Sequence, residues 1–158
     1  MSRGLLDLSE LDLSADVVSQ EDLRSAIPQD FEFRMVDGIS FLDVEEGYVV
    51  GYKKWDDNPW WARGHVPGRP LMPGVLMMEG AAQVATVLMK MTDNQWADRF
   101  IGLGGIDNAR FRQTVVPPAT IHYVAKVVKW SRKIARFKTQ CINNNEVAME
   151  MDLVGVLL

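Results

Sequence analysis

Residues 64–91 read GHVPGRPLMPGVLMMEGAAQVATVLMKM, and from Gly74 to about Met91 the pattern predicts one long buried helix. Val75, Leu76, Met77, Met78, Ala81, Ala82, Val84, Ala85, Val87, Leu88 and Met89 nearly encircle it. Only Glu79, Gln83, Thr86 and Lys90 interrupt the apolar run. A helix that is apolar on almost every side has to be covered by other elements rather than lie half in water. Pro73-Gly74 opens it, and Pro67, Pro70 and Pro73 stiffen the loop in front.

The chain on either side of this helix reads as β. Upstream, the runs Phe31–Met35, Ile39–Val44 and Tyr48–Lys54 have strand character, with turn signals at Asp37-Gly38 and Glu46-Gly47. A loop rich in Trp, Pro and Gly spans Trp55 to Pro73. Downstream, strands are expected over Gly102–Gln113, Thr120–Lys129, Ile134–Ile142 and Val147–Leu157. A corner falls at Val115-Val116-Pro117-Pro118, and Asn143-Asn144-Asn145 supplies a hairpin turn. One buried helix among several antiparallel strands predicts an α+β fold in which a curved sheet wraps the helix. Ser19 offers an N-cap, with Asp22 three residues on, for a short helix from Gln20 to about Ile27 that ends before Pro28. Residues 1–18 read as an N-terminal extension, either lying along the domain or loose, and residues 19–158 as a single domain.

Composition narrows the function classes. The 158 residues are 47% hydrophobic and 24% charged, an ordinary globular balance. No apolar run approaches the roughly 18 residues that span a bilayer, and the Leu/Asp/Glu start lacks the pattern of a signal peptide. Membrane insertion is therefore not expected, and the chain reads as cytoplasmic. One cysteine and two histidines make a structural zinc site improbable, so no metal is expected. Residues 1–57 carry 14 acidic and 5 basic side chains, a net of −9, whereas residues 58–158 carry 7 acidic and 12 basic, a net of +5. The basic residues are scattered and the pI is about 5.2, which argues against a nucleic-acid stripe. Scattered cations suit a small acidic protein partner, or simply a solvated mixed surface.

Two side chains stand out chemically. His65 sits in the proline-stiffened loop, and Glu79 lies about one and a half turns into the buried helix among methionines and alanines. An imidazole near a carboxyl group that can hold a proton forms a plausible acid–base pair. The first amides of the helix, at Gly74 and Val75, lack intrahelical partners and can hold an oxygen that becomes negative during a reaction. The same residues also suit structural roles: a loop histidine, a glutamate paired with an arginine, and Gln83 satisfying a buried polar contact. His122, within an alternating strand, reads as structural.

GHVPGRPLMPGVLMMEGAAQ resembles the signature of the 3-hydroxyacyl-acyl-carrier-protein dehydratases of type II fatty-acid synthesis. Gly105-Ile106-Asp107-Asn108-Ala109-Arg110-Phe111-Arg112, followed by Val115-Val116-Pro117, is similar to that family's second block. Ile27-Pro28 and Met35-Val36-Asp37 are similar to its first strand, so the resemblance spans about residues 20 to 158. Four departures accompany it, one being the shifted and bulkier aromatics of Asn58-Pro59-Trp60-Trp61. Val66 stands where the family has phenylalanine after the motif histidine. Ile27-Pro28-Gln29-Asp30-Phe31-Glu32-Phe33 replaces a Leu-Pro-His-Arg-Tyr-Pro-Phe pattern. Ile101 or Gly102 stands where a tyrosine gates the acyl tunnel.

The resemblance implies a hot-dog fold and dehydration of a (3R)-hydroxyacyl-acyl-carrier-protein to the trans-2-enoyl product. His65 would remove the proton alpha to the thioester carbonyl and Glu79 would protonate the departing hydroxyl. The amide of Gly74, with that of Val75, would hold the enolate-like oxygen, and Gln83 would support the site. It further implies a homodimer whose active site pairs the histidine of one protomer with the carboxylate of the other, and leaves open a trimer of dimers. The partner is an acidic acyl carrier protein that brings the phosphopantetheine arm, so no cofactor of the protein's own is needed. Glutamate rather than aspartate at position 79 implies dehydration without isomerisation. An acyl-CoA hydratase or thioesterase of the same fold, or a carrier-binding subunit without catalysis, are the alternative readings.

Overall fold

The computed structural model describes residues 4–158, so the first three residues of the expected extension lie outside the described part. Its long helix, α3, spans Gly74–Thr92, beside three short ones: α1, Gln20–Ala26; α2, Ala62–His65; and α4, Asn94–Ala97. The strands are β1, Gly38–Asp43; β2, Tyr48–Trp55; β3, Ile101–Phe111; β4, Ala119–Trp130; β5, Ile134–Asn143; and β6, Glu146–Leu157. They form a six-stranded sheet in the order β1-β2-β4-β5-β6-β3, with every neighbouring pair antiparallel. This is the hot-dog architecture, with α3 lying against β2, β4, β5, β6 and β3.

The encircling apolar pattern of α3 meets that sheet. Leu76, Met77, Ala81, Val84, Ala85, Val87, Leu88 and Met89 are buried among Val49, Ile121, Tyr123, Phe137, Met149 and Leu153 of the strands. Small residues let the layers approach. A methyl group on Gly80 would stand 2.2 Å from the Tyr123 ring, and one on Gly51 would stand 2.5 Å from a Val84 methyl. Between Val75 and Lys90 the positions that remain less buried, Val75, Met78, Glu79, Ala82, Thr86 and Lys90, recur at helical spacing as one stripe. Glu79 belongs to that uncovered stripe.

The helix α1 is capped as its sequence suggests, Ser19 Oγ accepting from the Asp22 amide at 3.0 Å. The reading of Phe31–Met35 as a strand is corrected: Phe31–Phe33 forms a 3-10 turn. Asp30 caps that turn by accepting from the Phe31 amide, Phe31 takes a positive φ of 51°, and the Met35 amide is tied to Gln83 rather than to a neighbouring strand. The alternation of Phe31, Phe33 and Met35 mimics a strand, but pairing begins only where Asp37 N–H donates to the Tyr52 carbonyl. The expected loop over 55–73 contains the single-turn helix α2, held by backbone bonds to Pro59 and Trp61 that the composition does not announce.

A second apolar cluster lies on the outer face of the sheet. Leu5, Leu6, Leu8, Leu11 and Leu13 pack there against Phe41, Val50, Val124, Ile142 and Val147. Asp7 and Asp12 hold the bends of this segment by accepting from Ser9 and Ser14, and the Leu5 amide donates to Gln140 Oε1 at 2.7 Å.

Candidate active site

His65 is the last residue of α2, and the sequence around it explains its placement. Trp55, at the end of β2, meets Trp61 edge to face, with ring centroids 5.7 Å apart, and both rings are buried. The Trp61 carbonyl accepts from the His65 amide at 2.9 Å, so the aromatic pair anchors the turn that carries the imidazole. The ring is then oriented by Nδ1, which stands 2.8 Å from the Leu71 carbonyl. That carbonyl is fixed in turn because the adjacent Met72 amide donates to Val115 at 2.8 Å. A carbonyl oxygen only accepts, so in the neutral ring Nδ1 carries the hydrogen and Nε2 keeps a free lone pair. His65 is exposed, with that lone pair turned away from its anchor.

Glu79 is held from within the helix. Gln83, one turn on, donates from Nε2 to Glu79 Oε1 at 2.8 Å. The same nitrogen donates to the Phe33 carbonyl at 2.8 Å, and Gln83 Oε1 accepts from the Met35 amide at 3.0 Å. Gln83 is 2% exposed and ties the 31–35 segment to α3 while fixing one oxygen of the carboxyl group. No hydrogen bond among the described residues is made to the second carboxyl oxygen. Among the described residues no hydrogen bond joins His65 to Glu79.

Gly74 and Val75 begin α3 after Pro73, which caps the helix without a side-chain hydrogen bond. The first close contact there is the Leu76 amide to the Pro73 carbonyl at 3.0 Å. A methyl group on Gly74 would stand 2.5 Å from the Phe111 ring, so a larger residue there would have to push that ring aside. Val75 is 68% exposed beside these amides. His122 lies in β4 between Tyr52 and Ile142, half-buried, and burial lowers its pKa.

Glu79 opens into a narrow cleft between α3 and the β3–β6 edge, whose floor includes Thr86, Met89, Ile101 and Leu153. Gln29, at the position where the family pattern has histidine, also lines it. Its Oε1 is buried and has no hydrogen-bond partner among the described residues. Leaving such an oxygen unpaired costs about 1–3 kcal/mol. The roomier trough of the surface, about 930 Å³, borders the Leu5–Ser9 segment and contains neither His65 nor Glu79.

A family model described as the FabA-like domain matches residues 27–152. Among curated relatives, the 3-hydroxyacyl-[acyl-carrier-protein] dehydratase FabZ of Desulforamulus reducens is 37% identical over 133 residues, covering 84% of this chain and 92% of the relative. The FabZ of Bacillus subtilis is 33% identical over 142 residues, covering 89% and 99%. Of solved structures, the dehydratase heterocomplex ApeI:P of Xenorhabdus doucetiae superposes with a TM-score of 0.70 at 13% identity, covering 86% and 90% of the two chains. A mutant thioesterase PA1618 of Pseudomonas aeruginosa gives 0.64 at 14% identity, covering 93% and 100%. These two establish the shared fold.

Proposed function

This chain belongs to the FabA-like family, and from that premise we propose that it dehydrates 3-hydroxyacyl groups carried on acyl carrier protein, with His65 as base and Glu79 as acid. The observation that carries the assignment of roles is the bond from His65 Nδ1 to the Leu71 carbonyl, which leaves Nε2 as the basic nitrogen. His65 Nε2 takes the proton from C2 of the (3R)-hydroxyacyl thioester. The electron pair moves onto the thioester oxygen, held by the amides of Gly74 and Val75 at the positive end of α3. It then returns to form the trans C2–C3 double bond as the C3–O bond breaks. Glu79 gives its proton to the departing hydroxyl, which leaves as water, and the proton on His65 returns to Glu79 through solvent. Acid–base groups alone balance this sequence, and the phosphopantetheine thiol comes with the carrier.

The site is completed in a homodimer, with the partner's His65 facing Glu79. Three features support that reading. β3 is an edge strand with Leu103 and Phe111 exposed. The stripe of α3 that bears Glu79 is not covered by the sheet. His65 and Glu79 each have an anchor but no bond to one another. An unpaired edge beside an apolar surface invites a second copy. A cytoplasmic location follows from the carrier-linked substrate. No helix among the described residues is long and apolar enough to cross a membrane.

The test is to incubate the chain with 3-hydroxyacyl carrier protein over a series of chain lengths and follow enoyl formation. Enoyl product with the unaltered chain and none with His65→Ala supports the assignment. Equal turnover by His65→Ala sinks it.

A further inference from the structure

We propose that the Gln29 side chain receives the hydrogen of the substrate's 3-hydroxyl group while Glu79 protonates the oxygen of that same group. The inference deepens the dehydratase reading and rests on it. Gln29 and Glu79 line one cleft of one protomer, together with Gln83 and Thr86 as its other polar side chains. Those two spend their hydrogens inside the protein, Gln83 on Glu79 and Phe33, Thr86 on the Ala82 carbonyl. Gln29 Oε1 is buried and has no donor among the described residues. The backbone on both sides of it is pinned. The Ile27 amide donates to Leu23, and the Asp30 carboxylate accepts from the Phe31 amide.

A hydroxyl group brings what this arrangement lacks. It has one hydrogen to donate and lone pairs to accept a proton. The single hydrogen of a protonated Glu79 is consumed by the leaving group, so the second hydrogen in the site is the hydroxyl's own. Pointing it at Gln29 Oε1 turns a lone pair toward Glu79. As the proton arrives from Glu79 and the C3–O bond lengthens, the departing oxygen gains positive character and its hydrogens become better donors. The bond to Gln29 therefore strengthens on the way to the transition state, the condition under which a contact raises turnover rather than affinity. The amide oxygen gains no proton, and the atom balance of the elimination is unchanged.

Gln29→Met keeps the length and bulk of the side chain and removes the strong acceptor. Two substrates separate the outcomes: 3-hydroxybutyryl and 3-fluorobutyryl groups on acyl carrier protein, the second losing fluoride, which has no hydrogen to donate. The expected result is a roughly 10- to 100-fold fall in kcat for loss of water, with KM changed little, and loss of fluoride within about twofold of the unaltered chain. Equal falls on both substrates would mean that Gln29 serves packing, and no fall on either would mean that the hydroxyl does not meet it; each overturns the proposal. Absence of enoyl product from the unaltered chain overturns the dehydratase reading itself, and this proposal with it.

Discussion

Gln83 and Glu79, one turn apart on α3, are joined by a 2.8 Å hydrogen bond whose donor nitrogen also holds the carbonyl of Phe33. The aim of the carboxyl group is thus coupled to the position of a segment about fifty residues earlier in the chain. Gln83→Leu would strand the Met35 amide, the Phe33 carbonyl and one oxygen of Glu79 together. Urea denaturation should show a loss of about 1–3 kcal/mol, and enoyl formation should fall at least tenfold. Full activity in this variant would mean that Glu79 needs no such anchor.

Glu79→Gln keeps the shape of the side chain and removes the acid. Dehydration should drop by about 10²- to 10⁴-fold while the melting temperature stays near that of the unaltered chain. A residual rate within tenfold of normal would assign the proton to another group.

Tyr123 is buried against Gly80, and its hydroxyl has no hydrogen-bond partner among the described residues. Burial, followed by the nearby Cys141, Asp37 and Glu79, holds its pKa well above the ordinary phenol value, so it stays neutral. Tyr123→Phe removes an unsatisfied oxygen and should leave stability unchanged or raise it by about 1 kcal/mol in urea denaturation. Gly80→Ala should do the opposite. The added methyl meets the ring, and overpacking of about 1–3 kcal/mol outweighs the gain of about 1 kcal/mol in helix propensity.

His122 supplies a pH dependence whose sign is fixed by its burial, which lowers its pKa below the ordinary 6.5. Above that value both folded and unfolded chains hold a neutral imidazole. Below it the unfolded chain binds a proton that the folded chain resists, so stability is lost as the pH falls from 6.5 toward the folded value. Melting curves between pH 7.5 and 5 should fall more steeply for the unaltered chain than for His122→Gln. Identical slopes would mean that the ring reaches water on protonation at no cost.

Much of this architecture is legible in the residues, and what is not has identifiable causes. The all-round apolar character of α3 announces a covered helix. The asparagine turn announces the β5–β6 hairpin, with Asn144 and Asn145 in the left-handed region at φ 50° and 63°. Phe31–Met35 misleads because its alternation is local, whereas its conformation is decided by Gln83, far along the chain. The turn of α2 is decided by two tryptophans on opposite sides of a loop. Motif spacing singles out His65 and Glu79, but the Leu71 carbonyl that sets the tautomer has no side-chain signature. Gln29 shows in the sequence only as a missing histidine. Its significance depends on an unpaired oxygen and a shared cleft, which exist only in three dimensions.

The bond between the Leu5 amide and the Gln140 side chain joins residues 135 positions apart. At about 5–20 residues per second of synthesis, the leucines that close over the outer face wait roughly 7–27 s for the strand they will rest on. During that interval Leu5, Leu6, Leu8, Leu11 and Leu13 are in water, kept apart by Asp7, Glu10 and Asp12. Asp7 and Asp12, whose carboxylates hold the bends of the folded segment, are also the charges that interrupt this apolar run while the face it will cover is still unmade.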